Sequence, residues 1–163
     1  MNRKLVLAFF LMIAMAVTLQ VQGRALSRHA AAGILALEFA WTEDRFQDLM
    51  YRWLREDVLT NLWLDFLFIP AYGWFFRLAA QAQGPRLSAA WAKRFAWLAV
   101  VACLCDVCEN GLLLARVYHE VRHGLLVPAA LFAAIKFALL LCVLLFVLYG
   151  LIAGRKAAVP SVS

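Results

Sequence analysis

The sequence predicts an all-α integral membrane protein, a four-helix bundle with an additional short interfacial helical segment on the non-cytoplasmic side. Three observations lead there. Of 163 residues, 66% are hydrophobic and 16% charged, with a mean hydropathy of +0.79; soluble domains run at roughly 45 to 50% apolar and about 25% charged. The apolar residues gather in four long runs, and a helix needs ~17 to 25 such residues to cross a bilayer. The basic residues stand beside alternate connections between those runs, the pattern of the positive-inside rule. A chain of this length holds one helical domain, taken here as 1–153, followed by an Ala/Val/Pro/Ser tail over 154–163 expected to be disordered.

The first span is expected over about 5–22, after Arg3 and Lys4. The same run can be read as a secretory signal cut after Gly23. The bulky Val21 is a poor fit to a small-x-small cleavage site, and a small bundle can ill spare a helix. Retention is therefore favoured, with the cleaved form as the alternative.

Residues 30–41 form an apolar stretch too short to span, containing Glu38, and are expected to lie at the interface or re-enter the protein. Thr42 is suited to cap a second interfacial helix over 43–56, with Glu43 and Asp44 in its first turn, where the helix dipole favours negative charge. Its apolar stripe is Phe46, Leu49, Met50, Trp53 and Leu54. That stripe is expected to lie on lipid or to cap a cavity.

The second span is expected over 58–80, with Asn61, Asp65 and Tyr72 on one face. Pro70 removes a backbone donor and predicts a kink near Phe66. A loop containing Gly84 and Pro85 leads to the third span, over 95–115. There Cys103, Asp106, Glu109, Asn110 and Leu113 share a face at ~100° per residue. The fourth span, over 125–153, carries one deep charge, Lys136, with the small Ala129 and Ala133 on its face.

The polar face of the third span is the centre of interest. A charge at bilayer depth costs at least ~2.5 to 3.5 kcal/mol on insertion scales, so Asp106 and Glu109 must meet partners, water or a ligand. Lys136 is the expected counter-ion. Four acids (Glu38, Asp65, Asp106, Glu109) outnumber that one lysine, and the excess calls for protonation, water or a cationic ligand. The candidate ligand-binding set is therefore Glu38, Asn61, Asp65, Tyr72, Asp106, Glu109, Asn110 and Lys136. A plainer account makes the acids helix glue, paired with Lys136 and with Arg116 or Arg77.

Other chemistries find less support. Cys103, Cys105 and Cys108 contain C-x-C and C-x-x-C spacings, but a helix sends them to different faces, which argues against a closed zinc site. His119, Glu120 and His123 are suited to interfacial solvation more than to a metal, and no metal or other cofactor is expected. A net charge of +6 does not point to nucleic acid, because the basic residues flank apolar runs and form no aromatic-laced basic surface. The chain has no G-x-S-x-G serine motif and no phosphate-binding glycine loop.

Two stretches, Asp65-Phe66-Leu67-Phe68-Ile69-Pro70-Ala71-Tyr72-Gly73 and Asp106-Val107-Cys108-Glu109-Asn110, resemble the paired signatures D-x-x-F-I-x-x-Y-G and D-x-x-E-N of small, uncharacterised bacterial four-span membrane proteins. The likeness extends back towards Leu37-Glu38-Phe39-Ala40 and brings no activity with it. It implies a multi-pass protein of the bacterial cytoplasmic (inner) membrane. A more distant likeness, of architecture alone, is to the four-span EXPERA-type sterol-binding and isomerase proteins.

Three classes of function follow. The first is binding or translocation of a proton, a cation or an amphiphilic ligand in an acidic intramembrane cavity. The second is a lipid-modifying enzyme with Asp106 and Glu109 as acid and base. The third is a structural or assembly subunit, and oligomers are compatible with all three. The basic set (Arg3, Lys4, Arg77, Arg86, Lys93, Arg94, Arg155, Lys156) predicts both termini in the cytoplasm, with the bilayer lipids as the surrounding partner.

Overall fold

The computed structural model describes residues 3–28, 30–119 and 124–156. Among these, every regular element is a helix: α1 (Arg3–Gln22), α2 (Arg24–Ser27), α3 (Leu35–Glu38), α4 (Glu43–Arg52), α5 (Arg55–Gln81), α6 (Ala89–Tyr118) and α7 (Leu126–Lys156). Three of them, α1, α6 and α7 as far as Ala153, are long and apolar enough to cross a membrane. The fourth long helix, α5, falls outside that set; Arg55, Glu56 and Asp57 open it, and the polar Asn61, Asp65 and Arg77 lie within it.

Packing follows from side-chain size. Helix α6 lies between α5 and α7, and α1 runs along α5. Ala96, Ala99 and Ala102 of α6 and Ala129, Ala130 and Ala133 of α7 are buried, so the backbones approach closely. At the α5–α6 contact Gly73 leaves room for the Cys103 sulfur, which a Cβ there would force to shift. At one end the α5–α6 turn folds Gln83 against Gly150 of α7, and Phe95 stacks on Phe146 with ring centroids 4.1 Å apart. Helix α1 buries Ala8 and leaves Leu7, Phe10 and Val17 exposed. A helix apolar all round with so little covered by protein is suited to a lipid surface.

The other end is closed by α2, α3 and α4, and here the structure departs from expectation. Only Leu35–Glu38 of the 30–41 stretch is helical, reached through a turn in which Gly33 takes φ 54°. Thr42 caps α4 as expected, its Oγ1 accepting from the Arg45 amide at 3.4 Å. The helix does not continue over 43–56: it stops at Arg52, and Trp53 and Leu54 are extended. Beyond that end the Trp53 indole is buried and donates from Nε1 to the Leu26 carbonyl at 3.0 Å.

Phe46, Leu49 and Trp53 accordingly join a core with Leu26, Leu37, Leu62, Leu113 and Val117, whereas Leu54 is 73% exposed. The stripe therefore packs on protein. The spans also shift at their ends. Helix α6 begins at Ala89, ahead of the predicted 95, with the Arg94 guanidinium 4.8 Å from the Trp91 ring centroid. Helix α5 stays helical through Pro70. Helix α7 carries the backbone to Lys156, into the stretch expected to be a tail. Residues 157–163, His29, Glu120, Arg122 and His123 lie outside the described residues.

Candidate functional site: a buried acid cluster beside a polar cavity

The i, i+3, i+4 spacing of Asp106, Glu109 and Asn110 turns all three to the inside of the bundle, and all three are buried. Lys136 enters this face from α7. Its Nζ lies 2.7 Å from Glu109 Oε2, 2.9 Å from Asp106 Oδ1 and 3.4 Å from Glu38 Oε2. The lysine is 4% exposed and Glu109 0%. One ammonium thus serves three carboxyls from two elements besides its own.

The two acids of α6 differ in how well they are satisfied. Asp106 accepts on both oxygens, from Lys136 on Oδ1 and from the Tyr72 hydroxyl on Oδ2 at 2.7 Å. Glu109 is close to the ammonium, yet neither of its buried oxygens is in hydrogen-bonding geometry with any donor. Asp65 stands nearby on α5 and accepts from Asn110 Nδ2 at 2.6 Å. Counting Glu38, Asp65, Asp106 and Glu109 against Lys136, the cluster holds more acidic than basic groups. Burial pushes the Glu38 carboxyl above its ordinary value, with the Lys136 ammonium opposing the shift.

Beside the cluster is a cavity of about 320 Å³ between α1, the Gly33 turn and α5. Ala16, Leu19 and Phe68 supply apolar wall, and Glu38, Asn61, Asp65 and Asn110 supply polar wall. The eight candidate residues therefore fall into two layers. Glu38, Asn61, Asp65 and Asn110 line the cavity; Tyr72, Asp106, Glu109 and Lys136 form the buried layer behind it. Glu38 belongs to both layers, because its side chain reaches Lys136 from the cavity wall.

The pairings within α5 are not those that helical spacing suggested. Their shared face would allow Asn61, one turn before Asp65, and Tyr72, two turns after it, to bond that acid. Instead Asn61 Nδ2 donates to Gln22 Oε1 at 2.5 Å, and Tyr72 donates to Asp106. Neighbouring helices offer acceptors at the same level, and a bond across the helix interface satisfies two buried groups at once.

Gln22 is the residue that sequence reasoning passed over. Its Nε2 donates to the Asp57 carbonyl at 2.9 Å, so it ties the end of α1 to the start of α5 beside the cavity. The only signal was an amide at the end of an apolar run. Arg116, weighed as a partner for the central acids, pairs with Glu43 of α4 instead. Cys103 donates weakly to the Ile69 carbonyl, at 3.6 Å. Among the described residues no set of His, Cys, Asp and Glu side chains is arranged to hold a metal ion.

No family model, no curated protein and no solved structure matches this chain.

Proposed function

We propose that the chain is a four-span membrane protein that binds the cationic group of an amphiphile in the acidic cavity bounded by α1, the Gly33 turn and α5. The observation that carries this reading is the joining of an unbalanced acid cluster to open space: Glu38 and Asp65 face a cavity of about 320 Å³, while one lysine answers all the acids behind them. A cation at Glu38 and Asp65 would offset the excess charge, and Ala16, Leu19 and Phe68 would take an apolar chain. In this reading α5 is the fourth span, despite its charges, because Asp65 is turned to the cavity and Arg77 lies near the end of the helix where it can reach the headgroups. The membrane is the bacterial inner membrane, with both termini in the cytoplasm beside Arg86, Lys93 and Arg94.

The enzyme alternative is weakened for the pair first considered. Asp106 and Glu109 stand behind the cavity wall, and Asp106 is already bonded on both oxygens. A substrate in the cavity would meet Glu38 and Asp65 first.

Native mass spectrometry of gently solubilised protein tests the binding proposal. A discrete amphiphile should co-purify, and Asp65→Asn or Glu38→Gln should reduce its occupancy about tenfold, the effect of losing one charge-assisted contact. Retention of the same amphiphile by both variants would rule out this cavity as its site.

A further inference from the structure

A second polar site lies at the other face of the α4–α6 junction, and nothing in the acid cluster accounts for it. Arg116 stands in the last turn of α6 and is 2% exposed, an extreme position for a guanidinium. Its carbon Cζ is 4.4 Å from the Phe46 ring centroid, one Nη is paired with Glu43, and Nε is buried without a hydrogen-bond partner. Arg55 opens α5 beside it, is solvent-exposed, and uses Nη2 to donate to the Val117 carbonyl at 2.9 Å. Both guanidiniums line a cavity of about 310 Å³ together with Gln47 and Met50.

Charge and position together indicate what such a site takes. Glu43, which also accepts from Gln47 Nε2 at 3.1 Å, pairs with Arg116, so among the described residues Arg55 is the guanidinium of the cavity wall that has no carboxylate partner. A monoanion would balance it, and planar guanidiniums suit tetrahedral oxyanions. Tyr51 (92% exposed), Tyr118 and Leu54 are exposed at this same end of the bundle, the aromatic and apolar dressing of a membrane interface. On the four-span reading proposed above, the phosphates of a lipid leaflet stand at that level.

We propose that Arg55 and Arg116 hold the phosphate of an anionic phospholipid from that leaflet, with Met50 against the glycerol backbone. The site is separate from the acidic cavity and does not depend on what that cavity binds.

The test compares thermal stability of the purified full chain in bicelles of phosphatidylcholine, the same bicelles containing phosphatidylglycerol, and phosphatidylcholine bicelles with added inorganic phosphate. Phosphatidylglycerol should raise the unfolding temperature in a saturable way, and inorganic phosphate should not. Arg55→Gln should weaken the apparent affinity for phosphatidylglycerol about tenfold or more, read as the midpoint of the stabilisation relative to the variant's own unfolding temperature in phosphatidylcholine. Because Arg116→Gln alone would leave the Glu43 charge in the site without its cation, the double variant Glu43→Gln/Arg116→Gln is the second probe, and it should lose the response as well. An undiminished phosphatidylglycerol response in both variants would overturn the proposal. Equal stabilisation by inorganic phosphate would overturn the lipid assignment and leave a free-phosphate site.

Discussion

Glu109 and Asp106 lie within a turn of each other, yet their surroundings predict opposite responses to neutralisation. Asp106 accepts from two donors, and an amide in its place would turn a donor toward Tyr72 or Lys136. Asp106→Asn should therefore lower stability by about 1 to 3 kcal/mol. Glu109 makes no well-directed hydrogen bond and adds to a surplus of negative charge, so Glu109→Gln should leave stability unchanged or raise it. Lys136→Met leaves three carboxyls without a cation and should cost about 3 to 5 kcal/mol. Thermal unfolding of the three variants in one detergent checks the order. A loss on Glu109→Gln as large as that on Lys136→Met would make the cluster plain helix glue and favour an assembly subunit.

Glu38 adds a pH signature. Burial raises its carboxyl above the ordinary 4.5, so the folded chain holds a proton there that the unfolded chain has released. By linkage this contribution to stability declines as pH rises from about 4.5 and levels off above the native value. The difference in stability between parent and Glu38→Gln, followed by chemical denaturation, should fall across that window. A difference independent of pH would remove Glu38 from the titrating groups.

At the scale of single elements, α4 and the α5–α6 contact are the most exposed to test. Spin labels replacing Leu49 and Trp53 should be shielded from water-soluble relaxers, whereas labels at Asp48 and Arg52, both more than half exposed, should be accessible. Equal accessibility at the four positions would detach α4 from the core. The stripe at Phe46, Leu49 and Trp53 was legible as one apolar face from its spacing alone. Its destination was not, because periodicity describes a face and is silent on whether lipid or protein covers it. The end of the helix was also hidden, since the bond from Trp53 to Leu26 joins residues 27 positions apart.

For the whole molecule the central expectation is topological. Single cysteines at positions 52 and 86, placed in a background freed of native cysteines, should label from opposite sides of the membrane. Labelling from one side would reject the four-span arrangement with α5 as a span. The same model gives α1 a part in the site: Ala16 and Leu19 wall the cavity, and Gln22 joins α1 to Asn61 and Asp57. Three helices announce themselves as candidate spans by composition, but α5 does not, because its charges conceal an inward face.

Composition and 3.6-residue periodicity suffice to predict a helical chain, the approximate long helices, and a polar face on α6 that must turn inward. Those are local properties, set by the cost of wetting or burying each side chain where it stands. Charge counting likewise anticipates that Lys136 answers the acids. Which acid faces space and which is enclosed depends on interhelical geometry. Helix α6 sets Asp106 against Tyr72 and Lys136, and α3, which follows the turn at Gly33, brings Glu38 to the same ammonium. Glu38 and Lys136 are 98 positions apart. Their meeting requires α3, α6 and α7 to pack together, and no local pattern in the chain records the angle at which those helices meet.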